Sequence, residues 1–411
     1  MNHRKRSAVK LRDARFRLAV AVAHCAIIMC ILLTLLAGSS AFAESHGGQS
    51  PGAVMDFVDF WAAARLLIQG GNPFSPAEVL ELQKSVGFTD SAPLLMWNPP
   101  WTLSFVLPFG AIDFRLSQFL WLLLHVLLTL VSAQKLWVIY GQAEGKTFLP
   151  WLAALTFIPT WFVLLLGQIS PLILLGIVGF LHFEKKNNLL LAGIATTLIS
   201  VKPHLVYLFW LGILLWIVHQ SRWMVALGAL VAGSIVAAIP AMIDPAVYSQ
   251  FLEMYRNPGR TTPFELPAPS LGSLLTASTP YTSLPIQFLP PLLGGVWFVW
   301  HWTRHKDHWE WHEQMPIILL VSLTMAAYAW TYDYVILLPA VIHGLVLVTR
   351  RNAVWYKKWI LLSYVLVNLL YLLLKFVIVS DYYYFWLAPA YLLIYLSLTL
   401  PAKNNSTIVA N

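Results

Sequence analysis

The sequence predicts an all-α polytopic membrane helix bundle of about 12 transmembrane helices, and three observations carry that prediction. Hydrophobic residues make up 59% of the 411-residue chain and charged residues only 11%, against a charged share of about 25% in soluble globular proteins. The apolar residues fall into runs long enough to span a bilayer, and Lys and Arg concentrate in the short loops between them. The 19 tryptophans gather near the ends of these runs, where amphipathic rings anchor at the water interfaces.

The net charge of +8 lies in tails and a few loops. It serves membrane orientation and argues against nucleic acid as a partner. Cys25 and Cys30, the two cysteines of the chain, fall in the first apolar run about 140° apart on a helical wheel. That placement argues against a disulfide, a zinc site or a thiol nucleophile.

Residues 1–17 carry Arg4, Lys5, Arg6, Lys10, Arg12, Arg15 and Arg17 against Asp13, which marks a cytoplasmic basic tail. A single membrane domain, 18–400, follows, and 401–411 forms a second cytoplasmic tail. The first spanning helix is read as residue 18 to about 37. Ala41-Phe42-Ala43 resembles a signal-peptide cleavage site, but an apolar run of about 20 residues exceeds a signal core and suffices to span.

Residues 38–97 form the first extracytoplasmic loop. Within it, 54–73 reads as a helix stopped by Gly70-Gly71-Asn72-Pro73. Asp56 and Asp59 share one face of that helix with Phe60, Ala63 and Leu67, so the small Ala63 leaves room for a ligand beside two carboxylates. A second amphipathic stretch, 76–86, offers Val79, Leu80, Leu82 and Val86 to the lipid surface. The loop closes at Asn98-Pro99-Pro100, where paired prolines stiffen the chain.

Apolar segments follow at about 98–112, 114–139, 148–166, 169–183, 189–202, 203–219, 223–243, 285–303, 314–330, 333–349, 359–379 and 384–400. Lys185-Lys186, Arg222, Arg304 with Lys306, Arg350-Arg351 and Lys357-Lys358 belong on the cytoplasmic side. Placing Lys185-Lys186 there requires an odd number of crossings after residue 97, yet four segments intervene. One of the short pieces, 98–112 or 169–183, therefore does not cross, and both termini are cytoplasmic. A later extracytoplasmic loop spans 244–284.

This parity puts the uncommon polar groups on the side that holds Asp56 and Asp59: Gln168, Lys202, His204, Arg256, Arg260 and Asp333. Each has a plainer alternative. Lys202 can snorkel to a headgroup, Gln168 and Asp333 can cap helix ends, His204 can sit at the interface, and Arg256 and Arg260 can be solvated. A lysine before Pro203, in the middle of a long apolar stretch, nevertheless marks a functional break. His305, His308 and His312 with Glu310 and Glu313 have a metal-like composition, but they fall on the cytoplasmic side in a Trp-rich loop and read as interfacial; no metal site is expected.

Carboxylates and cations at the outer face of an apolar bundle suit a substrate that is half lipid and half anion. One activity with that requirement is sugar transfer from a polyprenyl-phosphate carrier. A carboxylate takes the proton of an acceptor hydroxyl, and cations stabilise the charge on the departing phosphate. No Asp-x-Asp nucleotide-sugar metal motif stands out.

The residues that carry a family resemblance are Asp56-Phe57 with Phe60-Trp61-Ala62-Ala63-Ala64, Gly70-Gly71-Asn72-Pro73-Phe74, Asn98-Pro99-Pro100, Gly167-Gln168-Ile169-Ser170, Lys202-Pro203-His204 and Tyr332-Asp333-Tyr334 with Leu337-Leu338-Pro339. In this order, over about residues 50–340, they resemble glycosyltransferase family 87. That family comprises GT-C-type polytopic enzymes, among them polyprenol-phosphate-mannose-dependent mannosyltransferases. The resemblance implies an inverting, metal-independent hexose transfer, mannose first, on the extracytoplasmic face of the bacterial cytoplasmic membrane. It makes Asp56 the base and Asp59 secondary. Lys202, His204, Gln168 and Arg260 are then expected at the donor phosphate, and Asn98, Tyr332 and Asp333 in the substrate pocket. Members often carry a late histidine where this chain has Tyr332-Asp333-Tyr334. The expected partners are a polyprenyl-phosphate sugar donor, an acceptor on a glycan, glycolipid or protein, and the bilayer; no cofactor is expected. Two other classes share the composition: a lipid-linked sugar flippase or transporter, and a non-catalytic membrane assembly subunit.

Overall fold

The computed structural model describes residues 56–141, 148–257, 262, 265–266, 268–277, 284–350, 354–376 and 381–399. The basic tail, the first apolar run with its cysteines, the Ala41-Phe42-Ala43 stretch, Arg260 and the last residues lie outside them. Every regular element among the described residues is helical.

Helix α1 (Phe57–Gln69) ends at Gly70, as the Gly-Gly-Asn-Pro turn predicts. The Asn72 side chain accepts the Phe74 N–H at 2.9 Å, and Glu78 accepts the Asn72 N–H at 2.9 Å, which closes the turn onto α2 (Pro76–Ser85). Helix α1 has no wet face over its first two turns, because Phe57 through Ala64 are all buried. The room for a ligand expected beside Ala63 is filled, since Ala63 is 1% exposed, and its neighbour Ala64 serves helix packing. Helix α3 (Leu103–Gly110) approaches so closely that a Cβ on Gly110 would lie 2.6 Å from the Ala64 Cβ. Arg65 donates to the Gly110 carbonyl at 3.2 Å and Trp61 to the Ile112 carbonyl at 3.1 Å. In α2 the assignment to lipid also fails for Val79, which is 1% exposed and faces the protein. Beside it the buried Gln83 side chain brackets the Leu94 peptide, donating to its carbonyl at 2.7 Å and accepting its N–H at 3.0 Å.

The long α4 (Phe114–Gly141) follows, then α5 (Leu149–Thr156) and α6 (Ile158–Leu166), which are bent by 68°. Next come α7 (Ser170–Lys185), α8 (Leu189–Ile199), a 3-10 turn Pro203–Val206 leading into α9 (Tyr207–Gln220), and α10 (Trp223–Ile243). The stretch after α10 holds α11 (Val247–Arg256), α12 (Leu271–Ala277) and α13 (Leu284–Gln287). Helices α14 (Leu289–His305), α15 (Trp311–Thr324), α16 (Leu338–Arg350) with its leading 3-10 turn Thr331–Leu337, α17 (Val354–Lys375) and α18 (Leu387–Thr399) complete the bundle. Among the described residues, five helical stretches are long and apolar enough to cross a membrane: Phe114–Gly141, Pro203–Gln220, Trp223–Ile243, Thr331–Arg350 and Lys357–Lys375; the bent α5–α6 pair would make a sixth.

Segment 98–112 holds only short helical pieces. Helix α3 rises only about 12 Å at 1.5 Å per residue, well below a hydrocarbon core of about 30 Å. Before it, Asn98 and Trp101 donate to the carbonyls of Val201 and Ser200; after it, Gly110 and Ile112 are held by α1. Both of its ends thus stay near Asp56 and Lys202. The basic residues collect at the opposite end of α4. Lys185 donates to the Ile139 carbonyl at 2.8 Å, Arg350 to the Tyr140 carbonyl at 2.9 Å, and Arg222 reaches Asn187 at 3.5 Å. From Trp121, which is bonded to the Gly167 carbonyl at 2.7 Å, to Tyr140 the helix axis covers about 28 Å. That is close to one hydrocarbon thickness.

Candidate active site

Four sequence-distant turns meet at the polar end, and each is built by a local signal. The first is the start of α1, where Asp56 stands at the N-cap and donates its backbone N–H to the Leu166 carbonyl at 2.9 Å. The second is the end of α6. Gly167 has φ +69°, a left-handed conformation that glycine adopts at little cost, and it turns the chain so that Gln168 leaves the helix. Third, Lys202 precedes Pro203, which excludes the helical conformation for the lysine; its φ of −135° and ψ of 73° break α8 from α9. Fourth, Asp333 lies in the first turn of the Thr331–Leu337 segment and accepts the Trp330 N–H at 3.4 Å.

Their side chains form one continuous hydrogen-bonded chain. The Gln168 amide donates to Asp56 Oδ2 at 2.7 Å, and its carbonyl accepts from Lys202 Nζ at 2.9 Å. Lys202 also donates to Asp333 Oδ1 at 2.8 Å, and Ser170 Oγ donates to the same oxygen at 2.5 Å. Lys202 and Asp333 form a buried ion pair, with side chains 11% and 1% exposed. The Tyr332 ring centroid lies 5.2 Å from the ammonium, within cation–π reach.

Asp59 sits one turn from Asp56. It is 8% exposed, and its Oδ1 is buried with no hydrogen-bond partner. The two carboxyls titrate differently. Burial lifts the Asp56 carboxyl above its ordinary value; the Gln168 bond and the Lys202 charge pull it down, and the charges of Asp333 and Asp381 push it up. Asp59 is lifted well above the ordinary range by burial first and by the Asp56 charge second, with Lys202 and the Phe60 N–H opposing. Asp59 therefore holds its proton more tightly than an ordinary carboxyl, while Asp56 has the stronger support for its ionised form.

The structure thus brings Asp56, Asp59, Gln168, Lys202, Tyr332 and Asp333 together. Asn98 contributes differently: its amide donates to the Val201 carbonyl at 3.1 Å and fixes the backbone beside Lys202. His204 stacks on Tyr328, with ring centroids 4.2 Å apart, and makes no direct bond to the carboxylates. In the α14–α15 connection, His305 meets the His301 carbonyl at 2.8 Å and His312 lies 3.6 Å from Glu310; neither bonds a member of the cluster. Ser170, two residues after Gln168 in the Gly167-Gln168-Ile169-Ser170 motif, turns its hydroxyl back onto Asp333, a contact with no signal in the sequence. Lys375 and Asp381, which form an ion pair at the end of α17, escaped the sequence reading because a lysine closing an apolar run looks like an ordinary interfacial anchor.

A family model described as Glycosyltransferase family 87 matches residues 97–326, over half of the chain. No curated protein and no solved structure gives a significant match. The matched range contains Asn98, Gln168, Lys202 and His204. Asp56, Asp59 and Asp333 lie outside it, and Asp56 and Asp333 are tied to it by their bonds to Gln168, Ser170 and Lys202.

Proposed function

The chain belongs to glycosyltransferase family 87, and from that premise we propose a membrane enzyme that moves a hexose, mannose first, from a polyprenyl-phosphate donor to an acceptor hydroxyl. The reaction takes place with inversion and without a metal, on the extracytoplasmic face of the bacterial cytoplasmic membrane. The observation that carries the reading is the unbroken chain Asp56–Gln168–Lys202–Asp333, which sets a carboxylate and an ammonium on either side of one amide.

In this reading the ionised Asp56 accepts the proton of the acceptor hydroxyl, using the oxygen that Gln168 leaves unoccupied. The acceptor oxygen forms its bond to the anomeric carbon as the carbon–phosphate-oxygen bond breaks on the opposite face. The polyprenyl phosphate leaves with one more negative charge than it brought. Lys202 stabilises that growing charge, and the protonated Asp59 donates to a substrate hydroxyl. Asp333, Ser170 and Asn98 hold Lys202 in place. The fold is taken as GT-C-like with about 12 crossings and both termini cytoplasmic. The gathering of Lys185, Arg222 and Arg350 at the end opposite the cluster supports that orientation.

The test is transfer by the purified protein in lipid nanodiscs, supplied with radiolabelled polyprenyl-phosphate hexoses and membrane acceptors. Asp56→Asn should lower turnover by about 10²–10⁴-fold, the usual contribution of a general base, while donor binding persists. Undiminished transfer by Asp56→Asn removes Asp56 as the base. Movement of lipid-linked sugar across the bilayer with no new glycosidic bond would replace the reading with a flippase.

A further inference from the structure

A second buried ammonium stands at the same end of the bundle. Lys375 closes α17 and pairs with Asp381; the two side chains are 12% and 25% exposed. Its ammonium also faces two aromatic rings, with centroids 4.7 Å away at Tyr384 and 5.8 Å away at Phe162. Phe162 belongs to α6, the helix whose end delivers Gln168 to the candidate site, and Tyr371 packs against both Phe162 and Tyr384 at 5.3 and 5.2 Å. Lys375 is therefore anchored to the wall that carries Gln168. On the site side, Asp381 is close enough for its charge to act on Asp56 and Tyr332.

Charge balance says what such a pair can do. Among the described residues, three ionised carboxylates (Asp56, Asp333, Asp381) and the protonated Asp59 share this region with two ammoniums, Lys202 and Lys375. Lys202 already donates to Asp333 and Gln168, so its charge is largely answered before any anion arrives. A phosphodiester adds a negative charge and leaves as a monoester with another. A buried ion pair contributes little net stability compared with apolar residues of the same size, so folding alone gives no strong reason to keep Lys375 and Asp381. An ammonium held by one carboxylate and two ring faces can be handed to a better anion, because a phosphate offers more acceptor oxygens and more charge than the carboxylate it displaces.

We propose that Lys375 is a second phosphate-binding residue of the site, held by Asp381 until a phosphate-bearing substrate displaces that carboxylate. The inference rests on the reading that the donor is a phosphate-bearing lipid. No covalent step is involved.

Binding is measured on the full-length protein in neutral detergent, by tryptophan fluorescence, with four probes: polyprenyl monophosphate, uncharged polyprenol, inorganic phosphate and phosphatidylglycerol. Lys375→Met should weaken polyprenyl monophosphate at least about tenfold, the loss of one charge-assisted contact. Polyprenol should bind as before, and Lys375→Arg should stay within about threefold of the wild type. Asp381→Asn, which removes the competing carboxylate, should bind the monophosphate as tightly or more tightly. A parallel loss for inorganic phosphate identifies a site for the phosphate group itself; a loss confined to the two lipid phosphates identifies a headgroup site; either supports the assignment. An unchanged affinity in Lys375→Met overturns it. Equal losses for polyprenol and polyprenyl monophosphate also overturn it, since they report packing. Should Lys375→Met unfold, Lys375→Gln and the Asp381→Asn result decide the matter. Wild-type binding without sugar transfer would defeat the transferase reading alone, whereas transfer with an unchanged donor KM in Lys375→Met would defeat this inference alone.

Discussion

Replacing Lys202 by methionine keeps the length and bulk of the side chain and deletes its charge, so the effect isolates the ion pair at the centre of the cluster. Two bonds disappear, to Gln168 at 2.9 Å and to Asp333 at 2.8 Å. Asp333, 1% exposed, is left with Ser170 Oγ and the longer Trp330 N–H bond. Removing one partner of a buried pair costs about 3–5 kcal/mol, because the remaining charge is neither solvated nor paired. Adding Asp333→Asn removes the stranded charge and leaves an amide that still accepts from Ser170. The double variant should then lose only the ordinary value of two neutral-equivalent bonds, about 1–3 kcal/mol in all. The cycle therefore has an interaction energy of at least about 1–2 kcal/mol, of the sign expected for coupled groups. The assay is unfolding in mixed micelles titrated with SDS, followed by tryptophan fluorescence at fixed detergent composition and pH, with donor use measured in parallel. Double and single variants alike should lose donor use even where stability recovers. A cost below about 1 kcal/mol for Lys202→Met, or strict additivity, would mean that the ammonium is not buried against Asp333 and that the site is not assembled as described.

The pH dependence has a definite sign. The proposed mechanism requires ionised Asp56, whose carboxyl is raised by burial, so it predicts that turnover falls as pH drops through a value above the ordinary carboxylate range. Gln168→Leu removes a bond that favours the ionised form and should move that limb to still higher pH; a limb that stays in place refutes the assignment. Gly110→Ala inserts a methyl group 2.6 Å from the Ala64 Cβ and 2.7 Å from the Arg65 nitrogen. It should force α1 and α3 apart and cost about 1–3 kcal/mol, read as a lowered unfolding midpoint with weakened acceptor use. In a background lacking Cys25 and Cys30, Asp113→Cys should react with an impermeant thiol reagent from outside the cell. Lys186→Cys should react only after the membrane is opened, and reversed labelling would invert the proposed orientation.

Composition and periodicity by themselves determined that the chain is a helical membrane protein, because in hydrocarbon every backbone group must be satisfied within a helix. The breaks were equally legible. Gly70, Gly167 and Pro203 impose local conformations that need no tertiary partner, and each ends or redirects a helix where the sequence places it. Charge parity predicts that one short segment turns back, and length and hydropathy alone leave 98–112 and 169–183 as equal candidates. The contacts of Asn98 and Gly110, which hold both ends of 98–112 beside Lys202 and α1, are what favours 98–112, and no local signal announces them. Hydrophobic periodicity also could not say whether the apolar face of α1 meets lipid or protein, two environments with nearly the same demand on a side chain; packing against α3 and α4 decided for protein. The pairing of Lys202 with Asp333, 131 residues away, and of Gln168 with Asp56, 112 residues away, has no local signature. An ammonium on one turn and a carboxylate on another become a site only when the bundle brings them to bonding distance, and that is set by how the intervening helices pack.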